Sequence, residues 1–154
     1  MPKINVKNLN RFLLFKLPSA YISGVRVSSI SDEKATAYVK HRWINQNPFK
    51  SLYWATQGMA AELVTGILMI KKIEESGSKI SMLVVKQEGG FHKKATGKIV
   101  FSCEEGAVID KVIDAAIKTK EGQSLVLKAT GFDQDNEMVS SFEFTWSIKL
   151  KSKK

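Results

Sequence analysis

The spacing of hydrophobic residues changes several times along the chain, and each change marks an element. Between Val6 and Phe15 the apolar positions recur at helical spacing, which predicts a short amphipathic helix ended by Pro18. From Val25 the period falls to two. Val25, Val27 and Ser29 lead into the turn Ser31-Asp32-Glu33-Lys34, and Ala35, Ala37 and Val39 then alternate with Thr36, Tyr38 and Lys40, the pattern of a β-hairpin. The stretch from Phe49 to Glu75 is different. Between Ser51 and Ile70 its one ionisable residue is Glu62, and the rest is apolar, small or neutral polar. A helix that is apolar nearly all round belongs in a core or in a membrane. Its length just suffices to span a bilayer. Glu62 at mid-span, Gln57, and β-type sequence on both sides assign it to a core.

After Ser76-Gly77-Ser78 the strand period returns, from Ile80 to Gln87 and from Lys98 to Glu104. Val108, Val112, Ile113, Ala116 and Ile117 predict a second helix over Ala107 to Thr119, closed by Gly122. Ser124 to Phe132 alternates through Leu125, Leu127 and Ala129. Asp133-Gln134-Asp135-Asn136 turns it into a last strand with Met138, Ser140, Phe142, Phe144, Trp146, Ile148 and Leu150 on one face. One dry and one wet face are what an antiparallel sheet packed on a core requires. The predicted class is therefore α+β: five to six antiparallel strands wrapped around a long central helix. Ala55, Gly58, Ala60, Ala61 and Gly66 are expected to let the sheet approach that helix closely. The 154 residues read as one domain over 1–154, with an N-terminal helical extension at 1–20 and a basic tail at 150–154.

Composition narrows the chemistry. Cys103 is the single cysteine, which excludes an intrachain disulfide and a cysteine-based zinc cluster; with Ile99 and Phe101 it reads as a core thiol. His41 and His92 are the two histidines, so no metal site is expected. The formal charge of +9 suits a polyanionic or phosphorylated partner. Four lysines in the last six residues account for part of it as a solvated tail. Scattered lysines, and aromatics on the apolar side of the last strand, argue against a nucleic-acid module. Phe12-Leu13-Leu14-Phe15 is too short for a signal peptide, and cytoplasm is the expectation.

Glu62 is the residue that stability alone would not select. An isolated buried carboxylate is costly, and raises its pKa or finds partners. It is therefore a candidate general base or nucleophile. It reads equally as an acid at a subunit interface, satisfied by Arg42 or a lysine.

The stretch Asn47-Pro48-Phe49-Lys50-Ser51-Leu52-Tyr53-Trp54-Ala55, followed by Ala60-Ala61-Glu62-Leu63 and Gly66, resembles the hotdog-fold thioesterase superfamily. In its phenylacetate-type acyl-CoA thioesterases a loop Asn lies six residues before a His-Gly-Gly helix start, and an Asp or Glu follows nine residues after the His. Asn47, Tyr53 and Glu62 stand at those spacings, and Lys93-Lys94-Ala95-Thr96-Gly97 suits the same layout. More narrowly, the chain looks like an uncharacterised hotdog family with an Asn-Pro-Phe turn and an Ala-Ala-Glu-Leu helix core. Tyr53-Trp54 stands where the active relatives have His-Gly.

What the resemblance implies is a hotdog fold that hydrolyses a fatty-acyl or aryl thioester of coenzyme A. Glu62 would serve as general base or nucleophile, and the Tyr53, Trp54 and Ala55 amides would face the carbonyl. Asn47 would orient water or carbonyl, Tyr53 would donate its phenol proton, and Gln57 would join the polar network. Ser81 would be a further substrate contact. Lys93 and Lys94, then His92 and Lys98, would meet the phosphates of coenzyme A, which enters as part of the substrate and not as a cofactor. The implied partner is a second copy of the chain, as homodimer or homotetramer. The Tyr-Trp pair supports one alternative, a hotdog domain that binds acyl groups or acyl-CoA without hydrolysing them.

Overall fold

The computed structural model describes residues 3–152. Helices α1 (Val6–Lys16) and α2 (Pro18–Ile22) lead into strands β1 (Arg26–Ile30) and β2 (Ala35–Lys40). A single 3₁₀ turn (Trp43–Asn45) precedes α3 (Trp54–Glu75), then β3 (Ile80–Phe91), β4 (Lys98–Cys103), α4 (Gly106–Thr119), β5 (Gln123–Phe132) and β6 (Met138–Leu150). The six strands form one antiparallel sheet in the order β1-β2-β4-β5-β6-β3. Helix α3 packs against β1, β2, β4, β5 and β6, so the sheet wraps it as the sequence predicts. No described helix is long and apolar enough to cross a membrane.

The core forms where alternation meets the helix. Ala35, Ala37 and Val39 of β2, Ile99, Phe101 and Cys103 of β4, and Leu127 and Ala129 of β5 are all buried against Ala60, Ala61, Val64, Ile67 and Leu68. Burial pushes the Cys103 thiol up to about 12, so it is a core thiol and no nucleophile. Sheet and helix are also tied by one polar bond. The Trp146 indole N–H donates to Thr65 Oγ1 at 3.0 Å, and the Thr65 hydroxyl donates to the Glu62 carbonyl at 2.8 Å.

Several expectations need correction. Pro18 does not simply end the first helix; it opens α2, where its fixed φ and missing N–H are tolerated. Met138 is exposed and Val139 buried, because a register shift between Gly131 and Phe132 reverses the parity at the start of β6. The helical glycines are not what lets the sheet close in. A Cβ at Gly58 would meet only Phe142 at 3.8 Å, and one at Gly66 would sit at an ordinary 3.6 Å from Trp146. The glycine that space demands is Gly106. A Cβ there would lie 2.0 Å from the Asp32 carbonyl oxygen, in the β1–β2 turn.

These glycines predict opposite outcomes. Gly106→Ala should destabilise the fold by about 1–3 kcal/mol through overpacking. Gly58→Ala should stabilise it by about 0.5–1 kcal/mol, through a smaller loss of chain entropy. Thermal unfolding of both variants checks the signs.

Candidate functional site

The site begins with a loop that Asn47 builds. Its Oδ1 accepts from the Phe49 and Ser51 amides at 2.9 and 3.2 Å, and its Nδ2 donates to Ser51 Oγ and to the Leu52 carbonyl. The Asn47 amide is thus spent on shaping the loop, with Lys50 in the left-handed region at φ 60°. Leu52 then bonds to the Ala95 carbonyl, and the Tyr53 N–H to the Asn45 carbonyl at 2.9 Å. Tyr53, with φ −63° and ψ 137°, is the residue from which α3 starts. Its carbonyl accepts from Thr56 and Gln57, so among the described residues the Trp54 and Ala55 N–H groups have no backbone acceptor. They are the orphan donors of a helix start, where partial positive charge gathers.

A cleft of about 580 Å³ opens at this point, between the loop and the segment after β3. It brings together Asn47, Tyr53, Trp54, Gln57, His92, Lys93 and Lys94. Ala55 is half-buried on the next position of the helix. Gln57 is 4% exposed; its Nε2 reaches the Leu52 carbonyl only at 3.5 Å, and its Oε1 is buried with no partner. An unpaired buried carbonyl oxygen calls for a donor from water or ligand. Tyr53 and Trp54 stand at the mouth, about half exposed, with ring centroids 5.8 Å apart. Phe91 also lines the cleft, edge-on to Phe142.

The basic residues divide. Lys93 is held by Asp133 at 2.7 Å and by Glu137, which raise its pKa and neutralise it. That makes it a strut between the segment after β3 and the β5–β6 turn, and removes it as first choice for a phosphate. Lys94 is exposed and unpaired among the described residues, and His92 Nε2 lies 3.4 Å from Ser141 Oγ. Ser81 is not near the cleft. It sits at the opposite end of β3, roughly 30 Å from Phe91 along the strand, and donates to the Lys149 carbonyl.

Glu62 is also elsewhere. Nine residues after Tyr53 it has advanced about 13 Å along α3 and turned roughly half a circle. It lines a separate recess of about 130 Å³ with Phe12, Lys16 and Leu17 from the N-terminal helices, and with Gly66, Met82 and Trp146. Desolvation raises its carboxyl pKa above the usual glutamate range. Arg42 is not its partner within the chain; it lies beside Gly24. The N-terminal segment read as an extension is therefore one wall around Glu62. Its buried Leu9 and Leu13 were visible as periodicity, but nothing in that pattern pointed to Glu62. Asn45, a fully buried residue that holds the helix start, was missed altogether. No cluster that could hold a metal ion exists among the described residues.

A six-stranded antiparallel sheet wrapped on one long helix is a hotdog fold. Residues 7–148 match the model of one family, and the chain belongs to it: Domain of unknown function (DUF4442). Solved structures share the fold at low identity. PA5026 of Pseudomonas aeruginosa, described as "Probable Thioesterase", is 18% identical with a TM-score of 0.82, covering 98% of this chain and 99% of its own. The thioesterase HI1161 of Haemophilus influenzae is 13% identical at 0.74, covering 96% and 92%. A mutant of the Pseudomonas aeruginosa thioesterase PA1618 is 12% identical at 0.75, covering 97% and 96%. No curated sequence matches the chain.

The raised Glu62 pKa predicts a pH signature. A carboxyl that keeps its proton longer in the native state loses stability as pH rises. The Tm of Glu62→Gln should match wild type below the ordinary glutamate pKa of about 4.3, exceed it by a growing margin as pH rises from there, and level off once the native carboxyl has ionised. A constant difference across that range in parallel melts would contradict the desolvation.

Proposed function

We propose that the protein hydrolyses an acyl or aryl thioester of coenzyme A as a homodimer or a pair of dimers, in a site that two chains share. The observation that carries this is the separation of Glu62 from the α3 start within one chain. The acid is desolvated and has no described hydrogen-bond partner, while the orphan amides face a different cleft. A two-fold axis that sets one α3 antiparallel to another would bring the acid of each chain to the amides of its mate. The β3 edge is unpaired on its outer side and exposes Leu83 and Val85, which suits such pairing.

In this reading the thioester carbonyl oxygen accepts from the Trp54 and Ala55 N–H groups, which stabilise the developing oxyanion. Glu62 of the facing chain takes a proton from water as the hydroxide oxygen bonds to the carbonyl carbon. Collapse of the tetrahedral intermediate breaks the C–S bond, and the proton on Glu62 passes to the leaving thiolate, giving a carboxylic acid and a thiol. Attack by the carboxylate itself, through an anhydride that water then opens, uses the same geometry. Asn47 is a positioning residue, because its hydrogen bonds are spent on the loop. The unpaired Gln57 Oε1 is free to accept from the attacking water or the substrate.

One observation favours a second reading. Two large aromatic side chains occupy the cleft mouth, at Tyr53 and Trp54, and they suit a domain that holds an acyl group without cleaving it. Thiol release from a panel of acyl- and aryl-CoAs separates the two. The hydrolytic reading predicts turnover by wild type and a loss of at least about a hundredfold in Glu62→Gln, the scale of general-base catalysis. Saturable binding with no turnover across all chain lengths would leave the binding domain.

A further inference from the structure

A third pocket, of about 200 Å³, lies on the outer side of the β1–β2 end of the sheet, lined by Gly24, Arg26, Tyr38, Lys40 and Arg42. Its charges are one-signed. Among the described residues none of Arg26, Lys40, Arg42 or Lys98 forms an ion pair. The strand register makes this costly. Arg26 pairs across to Tyr38, and Lys40 stands directly opposite Lys98, an arrangement in which like charges repel. The Lys98 ammonium sits 4.5 Å over the Tyr38 ring.

One of the two guanidinium groups is held in place, and the other is exposed beside it. Arg26 packs at 3.5 Å over the Tyr21 ring, and its Nη1 donates to the Tyr21 and Val25 carbonyls at 2.7 Å each. Arg42 lies over the backbone of Gly24. Its Nη2 comes within 2.3 Å of where a Gly24 Cβ would stand, and Gly24 has φ +93°, a conformation that selects glycine. A pre-positioned fork of this kind matches a tetrahedral oxyanion and keeps its remaining N–H donors for it.

We infer that this pocket is a phosphate site, taking the dianion of a phosphate monoester between Arg26, Lys40 and Arg42, with the Lys98 charge nearby over the Tyr38 ring. It is joined to the α3 start by one buried side chain. Asn45 Nδ2 donates to the Ser23 and Lys40 carbonyls, its Oδ1 accepts from the Arg42 N–H, and its own carbonyl accepts from Tyr53 N–H. The same residue thus fixes the phosphate pocket on one side and the helix start on the other. The inference stands on the basic pocket and holds whether or not the protein hydrolyses thioesters.

Calorimetric titration of the full chain with inorganic phosphate at fixed ionic strength tests it. We expect one saturable site per chain, weakened at least tenfold by Arg42→Gln and less than twofold by Lys111→Gln, which removes a cation from α4. No saturable binding, or equal weakening by both variants, would overturn it. Coenzyme A and 3′-dephospho-coenzyme A then distinguish the sources of the phosphate. Tighter binding of coenzyme A, with the advantage lost in Arg42→Gln, assigns the site to the 3′-phosphate of a thioester carrier. Equal binding of the two, with phosphate binding intact, upholds the site for a separate phosphorylated ligand. Because the readout is binding, failure of hydrolysis leaves this result unaffected.

Discussion

Everything in this molecule depends on enclosing α3. A helix with ten apolar or small residues buried has to be surrounded, and a single curved antiparallel sheet does it with the fewest elements. That constraint sets the inward parity of β2, β4, β5 and β6 and leaves β3 at an edge. It also creates the chemistry. The helix start must emerge from the sheet with its first amides unbonded, and one carboxylate on the enclosed helix loses its water.

The strand pattern was legible because period two survives wherever one face is wet. β2 and β5 alternate almost without fault. It failed where a bulge changes parity, at Met138, since a register shift leaves no mark in the alternation itself. The central helix was legible through charge depletion. Pro18 marked the end of α1 as expected, but the α2 turn it opens was not legible, because one residue can both end a helix and begin the next.

The candidate site was legible in its residue types and less so in its arrangement. Asn47, Tyr53, Trp54, Gln57, His92, Lys93 and Lys94 do come to one cleft. Sequence cannot show that Lys93 is consumed by two acids from the β5–β6 turn, or that Ser81 lies a strand's length away. The nine-residue spacing from Tyr53 to Glu62 carried more information than it revealed. On a helix it means opposite faces, which is the reason for proposing that the two groups meet across two chains. Asn45 left no signal, because a buried asparagine bonded to three carbonyl and amide partners looks, as a letter, like any loop asparagine.

The central claim is that the acid and the oxyanion donors belong to different chains. Co-expressing Glu62→Gln with Trp54→Pro tests it most directly, since proline at the first helical position deletes the N–H while keeping the helix. Each variant alone should be inactive as a hydrolase. In a statistical mixture half the dimers are mixed and each regains one intact site, so activity should return to about one quarter of wild type. Mixed dimers that form and stay inactive would contradict the shared site.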